Sequence, residues 1–177
     1  MGAFVYRVMG AALFDAGVYE GVENDRRATS QAALVVLLSS AAAGVGAGGV
    51  YGPRLSALLA VSALALVTWI AWATLVVQIG SRVLPEATTR ADAGQLLRTI
   101  GFAAAPGLVQ VLAIFPRMAV PAFALAWVWM IAAMVVAVKH ALDYRSTGRA
   151  IVVCLLSAGL ALGLAIVLGI VFGQPVS

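Results

Sequence analysis

The eleven Lys/Arg and seven Asp/Glu residues are placed so that five long intervals carry no charge: residues 28–53, 55–81, 99–116, 118–138 and 150–177. These intervals hold 26, 27, 18, 21 and 28 residues. A hydrocarbon core about 30 Å thick is crossed by about 20 helical residues at about 1.5 Å each, so each interval holds one crossing and none holds two. The stretches are continuously apolar, as from Leu155 to Val171, whereas strands of a membrane barrel alternate apolar and polar residues over about ten positions. The pattern predicts an all-α polytopic membrane protein, a five-transmembrane-helix bundle with spans at approximately 31–51, 56–80, 97–115, 119–139 and 149–172. Residues 1–28 form a separate N-terminal segment and 29–177 the membrane domain. Composition closes the soluble alternative: 63% hydrophobic and 10% charged residues cannot cover a water-soluble domain, where about 25% are charged.

Counting Lys and Arg in the six successive segments outside the spans gives 3, 1, 3, 1, 3 and 0. By the positive-inside rule the side holding nine of the eleven bases faces the cytoplasm, which puts the N-terminus inside, the C-terminus outside and the protein in the cell (inner) membrane. All seven acids fall on that same side. Phe4, Val5, Val8, Met9 and Ala12 line one helical face opposite Arg7, which predicts a short amphipathic helix lying on the inner leaflet. Arg7 interrupts the first apolar stretch and no small-residue cleavage site follows it, so a signal peptide is not expected. Tyr6 stands where N-myristoylation wants Ser or Thr.

No charged residue lies deep in a span, which argues against ion-coupled chemistry at bilayer depth. Of the polar residues there, Gln110 most needs partners, because a primary amide carries two donors and one acceptor. Gly44 with Gly48, Gly159 with Gly163, and Gly169 with Gly173 form G-x-x-x-G pairs that let two helices approach closely, either within the bundle or across a homodimer. Pro106 sits early in the 18-residue interval, where it removes a backbone bond and clashes with the carbonyl of Phe102. A kink or break near Gly101 and Phe102 is predicted, serving either a binding site or crowded packing.

The connections add little chemistry. Thr89 to Asp92 has capping-box spacing, and Ser146 or Thr147 is placed to cap the fifth span. His140 with Asp143, three residues apart, is the one weak acid/base pair for a membrane-embedded lipid enzyme. One Cys and one His give no zinc cluster, and no phosphate-cradling loop or nucleophile motif occurs, so no catalytic residue, metal, cofactor or nucleic-acid partner is expected.

Three segments then carry a family resemblance: Val18-Tyr19-Glu20-Gly21-Val22-Glu23-Asn24-Asp25, the run from Leu97 to Gly107, and the run from Val138 to Ala150. In order and spacing they resemble the prokaryotic branch of the Yip family, the Ypt/Rab-interacting proteins. The resemblance implies five spans with N-terminus inside and C-terminus outside. Eukaryotic members bind prenylated Rab GTPases, but their Tyr-Gly-Pro motif precedes the first span, whereas Tyr51-Gly52-Pro53 here falls between spans 1 and 2, so GTPase binding is not carried over. The expected role is non-enzymatic, through membrane lipids, other membrane proteins or self-association at the cytoplasmic face. The residues expected to carry it are Arg98, Asp143, Thr147 and Arg149, with Gly101, Phe102 and Pro106 shaping span 3. A small transporter or channel component using that broken span and Gln110 is the alternative.

Overall fold

The computed structural model describes residues 2–52, 54–85 and 92–172, which contain helices and no strand. Seven α-helices follow in order: α1 (Gly2–Ala12), α2 (Ala16–Asn24), α3 (Ala28–Tyr51), α4 (Leu55–Gln78), α5 (Ala93–Phe102), α6 (Ala119–Ala141) and α7 (Thr147–Phe172). Five units are long and apolar enough to cross a membrane: α3, α4 with a π-helical turn at Ile79–Val83, α5 with a 3₁₀ segment at Ala105–Ile114, α6, and α7. The all-α five-span architecture implied by the charge spacing is therefore present.

Span 3 is the centre of the bundle. Pro106 has no N–H to give the carbonyl of Phe102, and the α-helix ends there. The chain continues as a ten-residue 3₁₀ segment, long for a form that rarely exceeds three or four residues. In this span 67% of the most apolar 18 residues are buried, against 17% in α4. Its 3₁₀ half packs most extensively on α3 and then on α6. The α3 contact is backbone to backbone: a Cβ at Gly46 would overlap the carbonyl oxygen of Gln110, and one at Gly49 that of Ala113. The expected Gly44–Gly48 pair is thus split. Gly44 packs on Ser62 and Leu58 of α4, while nothing lies within 4 Å of a Cβ at Gly48. Gly159 and Gly163 also face open space and take no part in packing within the chain. Gly173 lies outside the described residues.

Local chemistry sets the helix ends. Asp92 itself caps α5 by accepting from the Gly94 N–H at 2.9 Å. The expected cap, Thr89, lies outside the described residues. Ser146 Oγ accepts from the Arg149 N–H at 3.4 Å at the start of α7, as the sequence led one to expect.

The N-terminal segment is more than a surface helix. α1 and α2 fold into a hairpin with Phe14 at φ 63° in its turn. Phe4, Val8 and Ala12 pack against the core, whereas Val5 and Met9 of the same apolar face are exposed. Four bonds fix the hairpin. Arg7 donates to Asp25 (2.7 Å) and Gln31 (3.0 Å), Trp129 Nε1 donates to the Ala12 carbonyl (2.8 Å), and the buried Tyr19 hydroxyl donates to the carbonyl of Ala11 (3.0 Å).

The glycine contacts give a paired test. Gly49→Ala is expected to lose about 1 to 3 kcal/mol by overpacking against a backbone oxygen that cannot move aside. Gly48→Ala, one residue away in open space, is expected to leave stability unchanged or slightly raised. Thermal unfolding in detergent separates them, and equal midpoints would refute the packing.

Candidate functional site

On the face where the chain begins, α2, the end of α4, α5 and the connection between α6 and α7 converge. The last carbonyls of any α-helix lack partners within the helix, and the negative end of its dipole favours a cation. Arg98, on α5 and only 8% exposed, supplies both needs for α2: its Nε and Nη2 donate to the Glu23 carbonyl at 3.2 and 2.6 Å. Arg98 thereby ties the N-terminal hairpin to the central span.

The carboxyl of Glu23 is pushed above its ordinary range, first by burial and then by Asp143 and Glu20, with Arg98 opposing. Asp25 is shifted the other way, held down by the Arg7 hydrogen bond and by the backbone N–H of Arg27. His140 Nδ1 stands 3.9 Å from Glu20, beyond hydrogen-bond reach. Asp143 takes a left-handed conformation (φ 51°) where α6 ends, a position Asp tolerates better than most residues. Tyr144, buried, donates its hydroxyl proton to the Gly80 carbonyl (2.6 Å), with the Leu84 carbonyl also in reach (2.9 Å), joining the α6–α7 connection to the π-helical turn. Arg149 donates to the Pro85 carbonyl at 2.8 Å.

The expected residues thus divide among four places. Arg98 and Asp143 both neighbour Glu23. Thr147 opens α7 as an exposed residue, and Arg149 binds the end of span 2. Gly101 meets Ala32 of α3, where a Cβ would come within 2.8 Å, while Phe102 and Pro106 are buried in the core. Gln110 is 7% exposed and sits deeper, with its Nε2 facing Met130 Sδ at 3.9 Å. Asp25 pairs with Arg7 of α1 and not with Arg98 or Arg149. Glu23 and Tyr144 were missed. Glu23 acts through its main-chain carbonyl, which has no sequence signature, whereas an aromatic in the polar 139–149 connection was a usable sign for Tyr144.

Two cavities adjoin these residues. One of about 380 Å³ is an apolar groove between α3, α4 and α5, walled by Ala33, Leu66, Trp69 and Gly101, with Thr29 and Arg98 also lining it. The other, about 220 Å³, lies midway along the spans and is lined by Ser39, Ser40, Trp69, Trp72, Gln110 and Trp127. Val36 and Trp69 line both. Among the described residues, three buried side-chain polar atoms have no hydrogen-bond partner: Ser62 Oγ, Trp69 Nε1 and Trp72 Nε1. Each such orphan costs about 1 to 3 kcal/mol. Among the described residues, no group of three or more His, Cys, Asp or Glu side chains is arranged to hold a metal ion.

Fold and sequence together define a multi-pass α-helical membrane protein. The family model for the Yip1 domain matches residues 16–169, from the start of α2 nearly to the end of α7, and the chain belongs to that family. Comparison with curated proteins and with solved structures finds no match.

The opposite shifts of the two acids predict opposite pH responses. Glu23 holds its proton more tightly in the folded protein, so it favours the fold at low pH and opposes it as pH rises above its ordinary 4.5. Asp25 contributes stability above its ordinary 3.8, and this is lost as pH falls through its lowered value. Glu23→Gln is therefore expected to unfold at higher temperature than wild type at about pH 7 and to match it at about pH 4. Asp25→Asn should be less stable at about pH 7, and the difference should shrink as pH falls below the ordinary 3.8 of Asp.

Proposed function

We propose that this Yip-family protein is a non-catalytic lipid-binding and partner-binding component of the cell (inner) membrane. Its N-terminal face lies in the cytoplasm and its groove between α3, α4 and α5 holds one chain of an acidic phospholipid. The observation that carries this reading is the position of Arg98 on the groove. Nε and Nη2 are used on the Glu23 carbonyl and Nη1 is not, so a fixed guanidinium stands beside an apolar trough of about 380 Å³. Arg26 and Arg27, exposed just before α3, add positive charge at the same level. Guanidinium groups suit phosphate through paired, charge-assisted bonds. The small-residue face at Gly159 and Gly163, unused within the chain, supports self-association along α7.

The transport alternative called for a mid-depth cavity lined by Gln110 and the carbonyls near Phe102. Gln110 lines such a cavity, but Phe102 is packed into the core and is not on its wall. The enzyme alternative rested on His140 with Asp143. His140 instead faces Glu20 at 3.9 Å, and Asp143 neighbours Glu23.

Native mass spectrometry of protein reconstituted with equal phosphatidylglycerol and phosphatidylcholine tests the groove. Wild type is expected to retain phosphatidylglycerol preferentially. Arg98→Gln should lower retention about tenfold, about 1.4 kcal/mol. Ala33→Leu, which fills the groove without touching α2, should lower retention of both lipids. Unchanged retention in both variants would sink the proposal. Orientation is read by accessibility labelling: Arg145→Cys should react from the cytoplasmic side and Arg54→Cys from outside, while Cys154 is buried and gives little background.

A further inference from the structure

We propose that the cavity midway through the bundle binds a neutral lipid whose polar atoms are carbonyl oxygens, such as the ring of an isoprenoid quinone or the ester of a diacylglycerol. This site is distinct from the Arg98 groove and does not depend on it.

The walls specify the ligand by what they lack. Trp69 and Trp72 line the cavity, and their indole nitrogens are shielded from solvent yet without acceptors; Trp72 is 4% exposed as a whole. Gln110 offers a primary amide whose described contact is a thioether at 3.9 Å, a weak acceptor. Ser39 and Ser40, both buried, bring hydroxyls to the same wall. The two indole N–H groups are donors without partners, so what they lack is an acceptor. No charged side chain lines the space, so an ionic ligand would be left unpaired in a medium of low polarity, and a neutral one is required.

Shape and access narrow it further. Trp72 and Trp127 stack with ring centroids 6.1 Å apart and an interplanar angle of 17°, forming a flat aromatic wall. At about 30 Å³ per water, the cavity of about 220 Å³ has the space of about seven waters, enough for one substituted ring or one ester with its first methylenes. Leu64 of α4 and Leu162 of α7 line it and are 43% and 46% exposed. Both lie mid-helix, so the opening faces the hydrocarbon sideways and a long tail can extend into the bilayer. Neutral lipids that dwell at the bilayer midplane meet all three conditions.

Tryptophan fluorescence reads occupancy directly, because three of the four indoles line the cavity and Trp129 is engaged elsewhere with the Ala12 carbonyl. The purified full chain in detergent is titrated with a quinone bearing two isoprene units. A short-chain diacylglycerol and hexadecane are each tested as competitors. The proposal expects saturable quenching that Gln110→Leu and Trp72→Phe each weaken at least fivefold, and that Arg98→Gln and Ala33→Leu leave unchanged. Trp72→Phe keeps an aromatic ring in the wall while removing the donor and the pyrrole part of the indole, so it decides the matter should Gln110→Leu fail to fold. Displacement of the quinone by diacylglycerol assigns the ester as a ligand as well; saturable quenching without that displacement assigns the quinone ring. Non-saturating quenching, displacement of the quinone by hexadecane, or wild-type affinity in the Trp72→Phe variant would overturn the proposal, leaving a hydrated or purely apolar void.

Discussion

Eighteen uncharged residues between Arg98 and Arg117 have to cross an apolar layer about 30 Å thick, and at the α-helical rise they reach only about 27 Å. Pro106 turns this shortage into a solution. By ending the α-helix at Phe102 it commits residues 105–114 to a 3₁₀ path that rises about 2.0 Å per residue. The tighter coil is also narrower. α3 comes against it at Gly46 and Gly49 with no side chain between the backbones, and α6 closes the other side. Gln110 rides on that segment to mid-depth, so the polar cavity, the buried core and the placement of the outer spans all depend on the same short interval.

The chemistry at the two levels follows from how the third span is anchored. At its start Arg98 caps α2 through the Glu23 carbonyl and holds the N-terminal hairpin, while Asp143 and Glu20 act on the Glu23 carboxyl. Further along, two stacked indoles and a set of unsatisfied donors stand where hydrocarbon offers no acceptor. Together the two levels describe a family member in which a charged lip and a neutral interior share a wall at Val36 and Trp69.

Charge spacing made the five spans legible, because desolvating Arg or Asp in hydrocarbon is costly enough to fix where helices begin and end. The break in span 3 was legible for an equally local reason, since proline acts on the carbonyl four residues before it. What depends on which face meets which neighbour was not. Glycine spacing pointed to Gly44 with Gly48, whereas Gly44 alone of the two is packed, on α4, and the approach to span 3 uses Gly46 and Gly49, because a four-residue period says nothing of which neighbouring helix a glycine faces. The α1–α2 hairpin was read as one surface helix because its ties run through backbone carbonyls of Ala11, Ala12 and Glu23, which any residue supplies. The indole donors of the cavity escaped notice as well, since tryptophans in apolar spans ordinarily read as packing.

The path of the third span is measured most directly by pulsed electron paramagnetic resonance between spin labels on Leu97→Cys and Phe115→Cys, both at exposed positions, in a chain carrying Cys154→Ser. An α-helix that gives way to a 3₁₀ segment predicts a separation of about 33 Å. A separation of about 27 Å would mean an unbroken α-helix, and would contradict the account of how this chain crosses its membrane.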